Sequence, residues 1–96
     1  MLSCTSISYT GHALRRMFER GLLEEDIAAV IKSGEIVMDY PDDRPYPSQL
    51  RLGWVHQKAV HIVVSRDIQR RACYVITAYY PSLEIWHDDF KIRRQK

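Results

Sequence analysis

His12, Arg16 and Arg20 lie four residues apart in the run His12-Ala13-Leu14-Arg15-Arg16-Met17-Phe18-Glu19-Arg20-Gly21. On a helix that spacing stacks the three side chains along one ridge. An imidazole can take or give a proton near neutral pH, and a guanidinium matches the oxygens of a phosphate. The ridge is therefore a candidate for handling a phosphodiester. Two neighbouring cations would also favour a neutral imidazole, the form that acts as a base.

Other residues could complete such a site. His61 lies in the run Ala59 to Ser65, on the face opposite Val60, Ile62 and Val64. If the more apolar face meets helices, His61 is on the other face, where a small sheet can present a concave site. Thr77 and Tyr79 alternate with Cys73 and Val75 on one face of a strand, and their hydroxyls can bind phosphate oxygens or relay a proton. Arg44 and Tyr46 sit in the proline-rich segment Pro41 to Ser48, which suits a loop carrying binding groups. Arg51, Trp86 and Arg93 are further candidates for contacting a polyanionic substrate, although the two tryptophans, Trp54 and Trp86, also suit a core. The four histidines lack metal-ligand spacing, so neither a metal nor another cofactor is expected. There is no glycine-rich phosphate loop, no His-Glu-x-x-His motif and no nucleophile elbow.

The elements that must position these groups follow from periodicity. Thr10 can cap a helix from Gly11 to about Arg20, with Ala13, Leu14, Met17 and Phe18 entering the core. Gly21 ends it. A second helix is expected from about Leu23 to Lys32, buried through Ile27, Val30 and Ile31 and closed by Gly34. Glu24, Glu25 and Asp26 fall in its first turn, where the helix dipole favours negative charge. Strands follow at Glu35 to Tyr40, Leu50 to Val55, Ala59 to Ser65 and Ala72 to Tyr80, and Cys4 to Tyr9 could form a short edge strand. Short connections imply an antiparallel meander. Leu83, Trp86 and Phe90 have helix-like spacing, so a short C-terminal helix or ordered tail is expected to pack back. The expected class is α+β: two N-terminal helices on a small antiparallel sheet of about four strands.

With 96 residues, one domain with one core is expected. No stretch is long and apolar enough for a membrane helix. Met1 to Thr10 has neither a basic region nor a long apolar core, so a secretory signal is not expected and the cytoplasm is the expected compartment. Cys4 and Cys73, far apart in sequence, read as free thiols. The net charge of +2 conceals an asymmetry: residues 1–43 carry four basic and eight acidic side chains, residues 44–96 ten basic and four acidic. The basic half, ending in Lys91-Ile92-Arg93-Arg94-Gln95-Lys96, suits a polyanionic partner.

Three stretches together resemble the bacterial domain-of-unknown-function family DUF4258: His12 to Gly21, Asp39 to Ser48, and Cys73-Tyr-Val-Ile-Thr-Ala-Tyr79 with Pro81, Trp86, Asp89-Phe90-Lys91 and Arg93-Arg94. The resemblance runs from about Ile7 to Arg94. That family is similar in pattern to toxins of the RelE, BrnT and MqsR kind, which are grouped with the metal-independent ribonucleases of the barnase and colicin type. The resemblance implies a RelE/barnase-like fold, RNA as substrate and a small antitoxin protein as partner. Two departures stand out: Leu23 replaces the family's usual serine or threonine cap, and Tyr80 replaces an acidic residue. On this reading His12 or His61 serves as base and the other as acid, with Arg16 and Arg20 as anion clamp and Thr77 and Tyr79 as orienting groups. The alternative is a non-catalytic RNA- or protein-binding module of the same fold, in which Arg16 and Arg20 pair with Asp39, Asp42 and Asp43.

Overall fold

The computed structural model describes residues 3–95; Met1, Leu2 and Lys96, the last residue of the basic run, lie outside them. The element order is β1 (Ser6–Tyr9), α1 (Gly11–Arg20), α2 (Glu24–Ser33), β2 (Glu35–Tyr40), β3 (Ser48–Val55), β4 (Lys58–Asp67) and β5 (Ala72–Tyr79). The strands form one sheet in the order β1-β5-β4-β3-β2. Strands β2 to β5 are an antiparallel meander. Strand β1 pairs parallel to β5. The sheet is thus five-stranded and mixed, which corrects the expected antiparallel sheet of about four. The physical reason is long-range. Strand β1 contributes only four residues and finds its partner at the far end of the chain, a pairing that local alternation does not report.

The same pairing overturns the free-thiol reading. It brings Cys4 beside Cys73, and the two form a disulfide with Cα atoms 5.7 Å apart. The bond ties the start of the chain to β5.

Helix α1 begins where Thr10 Oγ1 accepts the Ala13 N–H at 3.0 Å, and it ends on Gly21, whose φ of 67° suits glycine. Its buried stripe is narrower than expected. Ala13 and Met17 are buried, whereas Leu14 is 46% and Phe18 87% exposed. Helix α1 packs on β5 near the sheet edge, so the next stripe round has nothing to meet. Helix α2 lies over β3 and β4 and buries Ile27, Val30 and Ile31. Leu23 has no side-chain acceptor, so only the reciprocal half of a capping box forms, with Asp26 accepting the Leu23 N–H at 2.9 Å. Gly53 lets α2 approach β3, because a Cβ there would stand 2.5 Å from a Val30 methyl.

The core lies between the helices and one sheet face, where Val55, Val60, Ile62, Val64, Cys73, Val75 and Ala78 meet Ala13, Met17, Leu22, Ile27, Val30 and Ile31. Burying this set of side chains is the main favourable contribution to folding. On the opposite face, called here the open face, stand Leu50, Leu52, Ala59, His61, Val63 and Ser65. Among the described residues the segment after β5 forms no helix. It is a turn-rich tail with a single bridge between Trp86 and Arg93. Trp86, 5% exposed, folds back against the open face, while Trp54, read as a core candidate, is 60% exposed.

Candidate active site

A single extra residue arranges the site. Between β4 and β5 the register steps from Val64↔Val75 to Val63↔Thr77, so Ile76 bulges out of the ladder. Cys73 and Val75 face the helices, but beyond the bulge it is Ala78 that does so. Thr77 and Tyr79, paired with Val63 and His61, therefore belong to the open face. The expected common face with Cys73 and Val75 is overturned by this bulge. Thr10 stabilises it from the helix side, taking the Val75 carbonyl through its N–H and the Ile76 carbonyl through its hydroxyl at 3.0 Å. One residue thus caps α1 and grips the bulge, which sets the start of the helix against β5.

The consequence is a contact across 65 residues: His12 Nε2 lies 3.2 Å from Thr77 Oγ1. His12 is exposed and Thr77 half-buried, so this imidazole is open to water and ligand.

Two residues along, His61 Nδ1 lies 3.2 Å from the Tyr79 hydroxyl, and His61 Nε2 lies 2.7 Å from the Phe90 carbonyl oxygen. The carbonyl can only accept, so Nε2 carries the proton and donates; Nδ1 then accepts from Tyr79. His61 is fully buried, with the Trp86 ring edge-on at 4.7 Å. Burial pushes its pKa below 6.5, opposed by the bond to Phe90. It is a neutral imidazole with both nitrogens engaged. Tyr79's phenol is pushed up, first by burial and then by Tyr40, and is opposed by the positive charge of Arg93. Tyr79 is therefore a protonated hydroxyl that senses a nearby cation.

Arg16 and Arg20 are not joined to these groups. Arg16 donates to Glu19 at 2.9 Å, and Arg20 lies 3.8 Å from the same carboxylate and donates to the Arg16 carbonyl. Both pairs are substantially exposed and contribute little to stability. Among the described residues neither arginine pairs with Asp39, Asp42 or Asp43.

The remaining candidates scatter. Arg51 is 3% exposed and donates to the Gly34 carbonyl and to Gln49, so it joins β3 to the end of α2. Arg44 is exposed and precedes Pro45 through a cis peptide bond. Tyr46 stacks on Tyr74 at 5.5 Å. Arg93 lies 5.7 Å over the Trp86 ring, close to the His61–Tyr79 pair. The structure thus gathers His12, Thr77, Tyr79, His61, Trp86 and Arg93 on or beside the open face and leaves Arg16, Arg20, Arg44, Tyr46 and Arg51 out of that hydrogen-bonded group. Tyr40 and the Phe90 carbonyl were not anticipated. Tyr40 lies on the outermost strand, two strands from β4, and a backbone carbonyl has no sequence signature at all. Among the described residues no group of three or more His, Cys, Asp or Glu side chains is placed to hold a metal ion. Among the described residues no helix is long and apolar enough to cross a membrane.

No curated protein and no solved structure matches the chain. The family model for DUF4258, a domain of unknown function, matches residues 9–80. That span holds both helices, strands β2 to β5 and both histidine–hydroxyl pairs, and the chain belongs to the DUF4258 family.

Proposed function

We propose that this domain is a metal-independent endoribonuclease, acting as the toxin of a toxin–antitoxin pair. The observation that carries the reading is the exposed His12–Thr77 contact, set beside a protonated Tyr79 and the cation Arg93. His12 removes the proton of a ribose 2′-hydroxyl. The freed oxygen attacks the adjacent phosphorus, the bond to the 5′ oxygen breaks, and that oxygen takes a proton from Tyr79, whose O–H turns to it from His61 Nδ1. The products are a 2′,3′-cyclic phosphate and a 5′-hydroxyl. Arg93 stabilises charge on the phosphoryl oxygens. Thr77 orients the imidazole, and His61 positions Tyr79 from behind. Arg16 and Arg20 exchange their weak surface pairing with Glu19 for flanking phosphates. RNA and a small antitoxin protein are the partners, and the cytoplasm is the compartment this reading requires.

The test is incubation of purified protein with RNA in EDTA. Cleavage giving 2′,3′-cyclic ends, reduced about a hundredfold or more in His12→Ala, is the expected result. Equal cleavage by His12→Ala overturns the assignment.

A second reading, a non-catalytic protein- or RNA-binding module, draws on a different observation. Phe18 is 87% exposed next to Leu14, an apolar pair on α1 beside arginines already held by Glu19. Binding without cleavage, lost in Phe18→Ser and kept in His12→Ala, would select it.

A further inference from the structure

The helix-facing side of the sheet is longer than the helices that cover it. Past their reach lies a cavity of about 330 Å³ lined by Asp39, Pro41, Pro47, Gln49, Val64, Arg66 and neighbouring residues, with no helix residue among them. Its polar groups are set by register. Asp39 pairs with Gln49 and Gln49 with Val64, so the three share one row across β2, β3 and β4. Arg66 is two residues beyond Val64 on the same face. The Asp39 and Arg66 backbones are therefore about 10 Å apart across the strands and about 7 Å along them.

These two charges face a common space and do not satisfy each other. Neither Asp39 nor Arg66 forms an ion pair among the described residues. The Arg66 Nε is buried with no hydrogen-bond partner. A buried unpaired donor costs free energy, and Arg66 itself lines the cavity. Val64 and the rigid rings of Pro41 and Pro47 also line the cavity. Gln49 accepts from Arg51 through its Oε1, which leaves its NH₂ as a further donor.

We propose that this cavity binds a guanine base. Guanine is flat and presents two neighbouring donors, N1–H and N2–H, which one carboxylate can accept together. Its other edge presents O6 and N7, which an arginine fork recognises. Asp39 takes the donor edge, Arg66 the acceptor edge, and the prolines hold the ring faces. Adenine fits worse, because it sets the acceptor N1 beside its single donor group, where a carboxylate is repelled. A ligand whose two charges are adjacent, such as a free amino acid, does not span the separation. The site lies on the opposite sheet face from Thr77 and Tyr79, so it stands independently of the reaction proposed above.

The experiment is calorimetric titration of the full chain with GMP and AMP, and with short 2′-O-methyl RNA strands containing one guanine or none. GMP is expected to bind about tenfold or more tighter than AMP, and the guanine-containing strand tighter than the strand without. Tighter binding of the strand than of GMP assigns the site to RNA; equal or weaker binding assigns it to the free nucleotide. The exposed Asp39→Asn and the charge-preserving Arg66→Lys should each weaken guanine binding about tenfold, with thermal melts confirming that both fold. No preference of GMP over AMP together with none between the two strands overturns the proposal, as does undiminished binding in Asp39→Asn.

Discussion

Two histidine–hydroxyl pairs meet strand β5 two residues apart, both at 3.2 Å, and they are chemically opposite. His12 reaches Thr77 from a helix start at the sheet edge and stays exposed. His61 reaches Tyr79 from the neighbouring strand and is sealed under Trp86, with its second nitrogen spent on Phe90. The same donor–acceptor geometry thus yields a group free to exchange protons and a group fixed as a neutral hydrogen-bond relay. Burial and the partner of the second nitrogen decide which, and distance does not.

The largest test bears on the edge pair. Cys4→Ser removes the bond tying the start of the chain to β5, which closes a loop of 69 residues. A loss of about 4 kcal/mol is expected in denaturant unfolding. Hydrogen exchange should rise at Thr10 and Ile76 before it rises at His61; uniform exchange would show that the two pairs are not mechanically separate.

His61→Ala comes next, with a loss of about 3 kcal/mol. It leaves a cavity under Trp86 and strands the Tyr79 hydroxyl and the Phe90 carbonyl. His12→Ala, which uncovers no buried group, should cost less than about 1 kcal/mol. Equal losses in the two variants would break the comparison.

The pH dependence separates the pairs without a cavity. Because His61 is held below 6.5 in the folded state, the unfolded chain binds the extra proton first. Stability is therefore full above about pH 6.5 and falls as pH drops from there toward the folded value. His61→Phe should flatten that slope relative to the parent. Urea midpoints between pH 5 and 7.5 read the difference.

The smallest effect belongs to the ridge. Arg16→Ala and Arg20→Ala should each change stability by no more than about 0.5 kcal/mol, since Glu19 holds both at the surface. A larger change would mean that the ridge is tied into the fold.

Local patterns carried much of this. Thr10 and Gly21 bounded α1, Gly34 closed α2, and alternation marked β2 to β5, because caps and periodicity depend on near neighbours. The placing of His61 on the face away from the helices was legible in the same way. Three features were not. The parallel pairing of β1 with β5 and the Cys4–Cys73 bond join residues about 65 to 70 positions apart, and sequence spacing carries no term for that. The Ile76 bulge reverses the facing of Thr77 and Tyr79, and one inserted residue leaves an alternating pattern looking unbroken. The third is the sealing of His61, which depends on a tail that folds back through Trp86 and the Phe90 carbonyl. The sequence determined which residue types could do chemistry and which short elements would hold them. Tertiary structure alone decided which histidine meets solvent, because exposure belongs to the packed surface and not to any residue.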